Sequence, residues 1–350
     1  MACPASSSGK DVTGGIWPLL ERYPALGDVP RIELRVEPTP IKSLEQLGRQ
    51  LWIKRDDLTA LPIGGNKVRS LEFLLGGVRP GNHVSTVGPH GSTHALATAV
   101  YARSLGAHVS VGLWRQEMNT VAEVVASELQ RVSSETRELR SPAIALPWLW
   151  WRRTRGDCTI PPGGTSTLGM LGHVNAGLEL AEQIARGEMP EPSAIVVPYG
   201  TGGTAAGIAL GLRIAGIRPI IIAARVVPWV LGRRGRIERL ANATARFIHR
   251  RTGQKVPSVT SPAFRVANSV YGGGYGRALQ RAAAASKQLN TAIGVQLDST
   301  YAGKAFVAAL EESSESTTLF WLTFDSRWLS SRPIRMPQTN SVGGTVPQPA

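Results

Sequence analysis

Several strand-like apolar runs in this chain of 350 residues are each followed by a turn and then by a helical pattern. The clearest runs are residues 83–87 and 194–198, and helical patterns follow them at 95–105 and 205–215. Such runs are typical of strands that are buried on both faces of a parallel sheet. Because strands that alternate with helices form βαβ units, the sequence predicts an α/β fold with mostly parallel sheets.

A glycine pair and a single lysine open one of these helical patterns. Gly64 and Gly65 lack a Cβ, so the backbone there can approach a bulky group closely. Asn66 and Lys67 follow, which places the lysine where a loop leads into a helix, and α/β proteins hold ligands at such junctions. In an apolar site the lysine amine would have a lowered pKa and could act as a nucleophile that forms a Schiff base. The alternative interpretation is a surface lysine at the start of a helix.

The turn after residues 194–198 predicts a site for an anion. Free backbone N–H groups and the positive end of a helix dipole would meet there, and two threonine hydroxyls add donors. The candidate residues are Gly200, Thr201, Gly202, Gly203 and Thr204. The turn has neither the Gly-Lys-Ser/Thr of a nucleotide-binding P-loop nor the six-residue spacing of a dinucleotide fingerprint, so a small phosphate ligand fits it better. A structural tight turn is the alternative.

A second turn, residues 88–94, follows the run at 83–87 and predicts a site for a carboxylate. Its candidate substrate contacts are Gly91, Ser92, Thr93 and His94. A helix N-cap is the alternative role for the hydroxyls, and the histidine could stack on a ring or only fill space. Tyr275 and Tyr301 are phenols flanked by small residues that could reach into a cleft, and Thr323 ends the last apolar run, where its hydroxyl could face a heterocycle nitrogen.

One arrangement unites these parts, namely a pyridoxal 5'-phosphate site that acts on an amino acid. The aldehyde would bond Lys67, the phosphate would lie at residues 200–204, and the substrate carboxylate would meet residues 91–94. The cofactor would supply the electron sink, while the protein would set the orientation and the proton transfers.

The composition of the chain argues against a nucleic-acid-binding protein and against a membrane or secreted protein. The formal net charge of +14 invites a nucleic-acid interpretation, but the arginine clusters lack a series of base-stacking aromatic residues and any zinc spacing, so we favour a solvated basic surface. No apolar run approaches the length of a membrane span, and no secretory signal is evident. The two cysteines, Cys3 and Cys158, are compatible with a reducing compartment, so the expected location is the cytoplasm.

Several blocks of sequence, in the same order along the chain, resemble one known family. They are residues 52–58, 64–67, 161–164 with 178–180, 202–207 and 297–305. Between about Pro38 and Thr323 the chain is similar to the D-cysteine desulfhydrases and 1-aminocyclopropane-1-carboxylate (ACC) deaminases, which are pyridoxal-phosphate enzymes of the tryptophan synthase β type. The resemblance implies a two-domain fold with three αβα layers around open twisted parallel sheets, and it also implies a homodimer.

The same resemblance implies a role for each candidate residue. Lys67 would form the Schiff base with Asn66 beside the cofactor, Ser92 would contact substrate, residues 200–204 would hold phosphate, Tyr275 and Tyr301 would flank the reacting carbons, and Thr323 would lie near the pyridine nitrogen. The predicted organisation is a loosely ordered arm over 1–28, a large cofactor domain over 29–69 and 166–325, a small substrate-side domain over 70–165 and a disordered tail over 326–350.

Three positions depart from the family pattern. Gly91-Ser92-Thr93-His94 stands where the family has Gln-Ser-Asn-His/Gln, Phe324-Asp325 stands where two glycines are usual, and Ala302 follows Tyr301 where ACC deaminases carry Glu. The leading hypothesis is α,β-elimination on a small amino acid, most simply D-cysteine to pyruvate, sulfide and ammonia. An ACC deaminase, or a relative that acts on another small amino acid, is the first alternative, and a cofactor-binding protein without turnover is the second.

Overall fold

The computed structural model describes residues 17–35, 38–47, 50–229, 232–274, 277, 279–330 and 333–334. Its strands are β1 (Ile41–Ser43), β2 (Leu51–Arg55), β3 (His83–Pro89), β4 (His108–Trp114), β5 (Glu135–Leu139), β6 (Cys158–Ile160), β7 (Ala194–Tyr199), β8 (Ile220–Arg225), β9 (Phe264–Ala267) and β10 (Thr318–Leu322). Its α-helices are α1 (Pro18–Arg22), α2 (Asn66–Leu74), α3 (Thr93–Ser104), α4 (Thr120–Val132), α5 (Ala145–Thr154), α6 (Met170–Ala185), α7 (Gly203–Ala215), α8 (Arg234–Thr252), α9 (Gln280–Ile293) and α10 (Ala302–Glu312).

The strands form two sheets. The larger has the order β1-β2-β10-β7-β8-β9 and the smaller the order β5-β4-β3-β6. All neighbours pair in parallel except β1 and β2, which are antiparallel. The mostly parallel α/β fold with two sheets and helical layers, expected from the sequence, is confirmed.

Both faces of the larger sheet are covered by helices. Along β10, Leu319 and Trp321 lie in the core shared with α6, α7 and α8, while Phe320 and Leu322 lie in the core shared with α9 and α10. This alternation is the two-residue period of a strand, and burial on both faces explains why β10 reads as one continuous apolar run. The smaller sheet is also sandwiched, with α2, α3 and α4 on one side and α5 on the other.

Helix α2 connects the two halves of the molecule. Phe73 belongs to the core of the larger sheet, whereas Val68 and Leu71 belong to the core of the smaller one. Because both sides of α2 are packed, the loop before it is fixed relative to both sheets. The division into domains at 69/70 and 165/166 stays a proposal, and its first boundary falls inside this helix.

The prediction for the N-terminal arm is wrong over residues 17–28. This stretch forms α1 and a 3₁₀ helix, and Leu19 and Leu26 are fully buried in the core of the larger sheet. The Leu19 N–H also donates to Asn175 Oδ1 at 3.0 Å. Residues 1–16 lie outside the described residues. Residues 17–28 are therefore an ordered segment that packs onto the larger half of the molecule.

The predicted disordered tail is also wrong for its first residues. Residues Arg327–Ser330 form a 3₁₀ helix, and Trp328 and Ile334 pack into the core of the smaller sheet. Residues 335–350 lie outside the described residues.

Candidate active site

The turns that follow four strands, β3, β4, β7 and β10, meet at one cleft of about 830 Å³. Ligands of open α/β sheets bind outside the carboxyl ends of the strands, which is where this cleft lies. Predicted site residues among its lining are Asn66, Lys67, Ser92, Thr93, His94, Gly200, Thr201, Gly202, Thr204, Tyr301 and Thr323. The structure therefore brings the turns singled out by the sequence into one place.

Lys67 lies in the first turn of α2 and opens onto the cleft. Its Nζ is 3.4 Å from the carbonyl oxygen of Gly163, and no carboxylate forms an ion pair with it among the described residues. Burial lowers the pKa of Lys67 to about 8 because the charged ammonium is poorly solvated there. About a tenth of the amine is therefore uncharged at pH 7, far more than for an ordinary lysine, and the uncharged form is what a nucleophile or base requires.

The glycine pair before Lys67 is required by close backbone contacts. A Cβ at Gly65, where φ is +103°, would lie 2.7 Å from the Thr323 carbonyl oxygen, and one at Gly64 would lie 2.1 Å from the Asp57 carbonyl oxygen. The Asn66 N–H donates to the same Thr323 carbonyl at 3.2 Å. The end of β10 and the start of α2 are thereby fastened together.

A buried ionic network lies beneath α2. Arg69, two residues after the lysine, pairs with Asp56 at 2.7 Å and with Glu179 at 2.9 Å, and Lys54 pairs with Glu179 at 2.6 Å. Burial alone would raise the pKa of Glu179, but the charges and hydrogen bonds of Arg69 and Lys54 hold it well below its usual value. The network anchors α2 to β2 and α6.

The predicted anion turn has the geometry of a cradle. Gly202 has φ +92° and α7 begins at Gly203, so the backbone turns sharply at a helix N-terminus. A Cβ at Gly203 would lie 2.9 Å from Thr165 Oγ1, which is itself 2.5 Å from Thr201 Oγ1. On the other side Asn66 donates to Thr204 Oγ1 at 2.8 Å, linking the cradle to the lysine helix.

The predicted carboxylate turn begins α3. Ser92 is the N-cap, and its Oγ accepts from the Ala95 N–H at 3.2 Å, so the helix-capping alternative describes its hydroxyl. Thr93 begins α3 and lines the cleft. Gly91 does not line the cleft, and a Cβ there would lie 2.6 Å from the Ala122 Cβ, so close packing explains the glycine.

His94 is a buried, neutral histidine at the back of this turn. Burial, and after it the charge of Lys67, lowers the pKa of His94 to about 3. Its Nε2 lies 3.2 Å from Thr86 Oγ1, which donates to the Ile160 carbonyl at 3.1 Å. Since that hydroxyl proton is used, we assign Nε2 as the protonated nitrogen.

Tyr301 and Thr323 complete the lining near the anion cradle. A Cβ at Gly200 would lie 3.3 Å from Tyr301 Cε1, so the phenol ring covers this glycine. Asp298 fixes the tyrosine backbone by accepting its N–H at 2.6 Å. Tyr275 lies outside the described residues.

Two contributors to the site were missed from sequence. Thr165 and Arg236 reach the anion cradle from segments 36 and 35 residues from Thr201 in the chain, and no local pattern links them to it. Asp325, seen from sequence only as a departure from the family, accepts the Gly64 N–H at 2.8 Å and pairs with Arg327 at 2.8 Å. Its carboxylate therefore holds the glycine pair in place.

These features define a class of enzyme that holds a phosphorylated aldehyde cofactor on a lysine. A model of the family described as pyridoxal-phosphate-dependent enzymes matches residues 32–323, and the chain belongs to this family. Its cofactor is pyridoxal 5'-phosphate.

Within this family, the chain is similar to proteins named as ACC deaminases and D-cysteine desulfhydrases. It is 34% identical over 302 residues to a "putative 1-aminocyclopropane-1-carboxylate deaminase" of Pyrococcus furiosus, covering 82% of this chain and 88% of that one. It is 33% identical over 303 residues to a D-cysteine desulfhydrase of Salmonella choleraesuis, covering 82% of this chain and 89% of that one. The solved structure of an ACC deaminase homologue superposes with a TM-score of 0.71 at 30% identity, covering 90% of this chain and 98% of that one.

A more distant structure shares the fold alone. A threonine deaminase from Solanum lycopersicum superposes with a TM-score of 0.58 at 15% identity, covering 92% of this chain and 89% of that one.

Among the described residues, no helix has the length and apolar character needed to cross a bilayer.

The residues present fit the cofactor of the family. The cleft offers an amine with a lowered pKa and a glycine cradle with hydroxyl donors that side chains at Gly163 or Gly203 would fill. The amine suits an aldehyde and the cradle suits a phosphate.

Proposed function

We propose that this protein catalyses α,β-elimination on D-cysteine, with pyruvate, sulfide and ammonia as products. One observation carries the proposal. The amine of Lys67, whose pKa burial lowers to about 8, shares a cleft with the cradle at 200–204 and the turn that starts α3. This is the set of groups that an amino-acid elimination with this cofactor needs.

Each group has a proposed task. When bound, pyridoxal phosphate supplies an electron sink for the charge that develops at the substrate Cα. The uncharged amine of Lys67 takes the Cα proton, and backbone N–H groups at the start of α3 hold the substrate carboxylate. Tyr301, beside the anion cradle, flanks the reacting carbons, and the family resemblance assigns the same task to Tyr275. The Cβ–S bond breaks with its electron pair leaving as sulfide, and water hydrolyses the remaining enamine to pyruvate and ammonia.

Two side chains of the cleft, His94 and Thr323, support elimination as the reaction. His94 stays neutral beside Lys67 and so adds no charge to the base. Thr323 brings a neutral hydroxyl to the cleft, where a carboxylate would favour protonation of a heterocycle nitrogen. We propose that this moderates the electron sink and favours elimination over transamination.

ACC deamination is the second candidate, because one relative carries that name at 34% identity. Ala302 argues against it, since the position after Tyr301 offers a methyl group and no acid. A protein that binds cofactor without turnover is the third candidate, motivated by Thr93 and by Phe324, which line the cleft.

The test uses protein loaded with pyridoxal phosphate and supplied separately with D-cysteine and ACC. Sulfide and pyruvate released in equal amounts from D-cysteine support the proposal. Formation of 2-oxobutyrate from ACC, without sulfide from D-cysteine, would establish the second candidate. A cofactor absorption band with no product from any small amino acid would establish the third.

We further propose that the protein works as a homodimer, in line with the family resemblance, and in the cytoplasm, in line with its sequence. Sedimentation equilibrium of the loaded protein tests the first part, and a monomer mass would contradict it. The arginine-rich surface is proposed as solvated, with no nucleic-acid partner.

A further inference from the structure

Arg236 lies in the first turn of α8 and reaches the cofactor cleft beside the anion cradle. Its Nε donates to the carbonyl oxygen of Thr201 at 3.2 Å, while Thr201 itself forms the wall of the cradle with Thr165. The guanidinium is thus attached to the loop through Nε, and among the described residues its two terminal nitrogens make no hydrogen bond.

Among the residues that the structure describes, the charge of Arg236 has no compensating partner. No carboxylate forms an ion pair with it anywhere in the part of the chain that the structure describes, although the side chain is half-buried. Two other cationic side chains line the cleft. Lys67 is the proposed site of the cofactor aldehyde, and Arg115 is largely exposed and pairs with Glu138 at 2.5 Å. Arg236 is therefore the cationic side chain that lies beside the anion cradle without a carboxylate partner among the described residues.

The local sequence of α8 is unfavourable without an anion. Three arginines, Arg233, Arg234 and Arg236, stand at the N-cap and in the first turn, and no acidic residue accompanies them there. The N-terminus of a helix already carries a partial positive charge, so cations at this end destabilise it. A dianion bound between α7 and α8 would relieve this repulsion.

We propose that Arg236 binds the phosphate group of pyridoxal phosphate, adding a side-chain cation to the backbone donors of residues 200–204. The inference rests on the proposed use of that turn as the phosphate site. An arginine fork suits the geometry of phosphate oxygens, and hydrogen bonds to charged groups are stronger than neutral ones. Arg236 is then a determinant of cofactor affinity and takes no part in the bond changes.

The test measures binding of two ligands to the apoprotein, pyridoxal phosphate and pyridoxal, which lacks the phosphate. Arg236→Gln should raise the Kd for pyridoxal phosphate at least about tenfold. The same variant should leave the Kd for pyridoxal unchanged within about twofold, because Arg236 touches only the phosphate. Arg236→Lys should fall between wild type and Arg236→Gln for pyridoxal phosphate.

Arg239→Gln is the matched control, since Arg239 lies one turn further along α8, is exposed and does not line the cleft. It should bind both ligands as wild type does. Equal affinity of wild type and Arg236→Gln for pyridoxal phosphate would overturn the inference. Equal weakening of both ligands would also overturn it, because it would show that Arg236 only supports the Thr201 loop. This binding measurement uses no substrate, so its outcome does not depend on whether the protein turns over D-cysteine.

Discussion

At the scale of single residues, the environment of Lys67 distinguishes it from the other buried lysines. Burial also lowers the pKa of Lys54 and Lys304. Lys54 is tied to Glu179 and to the Thr39 carbonyl, both at 2.6 Å, and Lys304 donates to the Tyr271 carbonyl at 2.8 Å. Lys67 has only a long contact to one carbonyl, so its amine is available to a ligand.

The lowered pKa makes a prediction for cofactor capture. In the proposed mechanism the uncharged amine would attack the aldehyde, so the capture rate should follow the uncharged fraction, which rises as the pH passes through the pKa of about 8. Between pH 7 and pH 9 we expect a rise of roughly tenfold and then a plateau. Stopped-flow absorbance of apoprotein mixed with pyridoxal phosphate measures this rate. A rise of roughly a hundredfold over the same interval would indicate a lysine with an ordinary pKa.

At the scale of elements, what could be predicted from sequence depended on burial. Strands β7 and β10 are buried along their whole length, and their apolar runs were recognised. Strand β5, Glu135–Leu139, is an edge strand with four exposed residues, so it carries no apolar signal. Strand β6 has three residues, too short for a periodic pattern. The glycine turns were visible because their conformations need glycine, whereas Thr165 and Arg236 reach the site only through the tertiary fold.

The element that carries Lys67 depends on the ionic network beneath it. Glu179→Gln removes the carboxylate shared by Arg69 and Lys54 and leaves their buried charges uncompensated. We expect a loss of about 3–5 kcal/mol in the free energy of unfolding, together with weaker cofactor binding as α2 loosens.

Chemical denaturation and cofactor titration of this variant measure the two effects. The control is Glu182→Gln on the same helix, where the side chain is only half-buried and forms no ion pair among the described residues. Its stability should change by less than about 0.5 kcal/mol. Similar stability of the two variants would show that the network does not anchor α2.

At the scale of the whole molecule, segments near both ends of the chain pack into its hydrophobic cores. Trp17 packs edge-on against Phe73 of α2 with ring centroids 5.5 Å apart, and Trp328 packs into the core of the smaller sheet and lines the cleft. The segments around Trp17 and Trp328 are rich in Ser, Pro and Thr, so their sequence does not predict that either tryptophan is buried in a core. Isolated aromatic residues in polar segments give no periodic signal.

This packing predicts that Trp328→Ala destabilises the protein by about 3–5 kcal/mol, because it removes a buried indole from the core of the smaller sheet. Trp150 is the matched control, since 68% of its surface is exposed and its replacement by alanine should cost less than about 0.5 kcal/mol. Thermal and chemical unfolding of both variants compare them. An equally small effect at Trp328 would mean that the segment from residue 326 does not belong to the core.

The central claim is that Lys67 bonds the cofactor, and reduction of the loaded protein with borohydride tests it most directly. Reduction makes the lysine–cofactor bond permanent, and mass spectrometry of the peptides then locates it. We expect the adduct on Lys67, and none in a Lys67→Ala variant treated in the same way. An adduct on another lysine, with residue 67 unmodified, would contradict the assignment of the site and the elimination mechanism built on it.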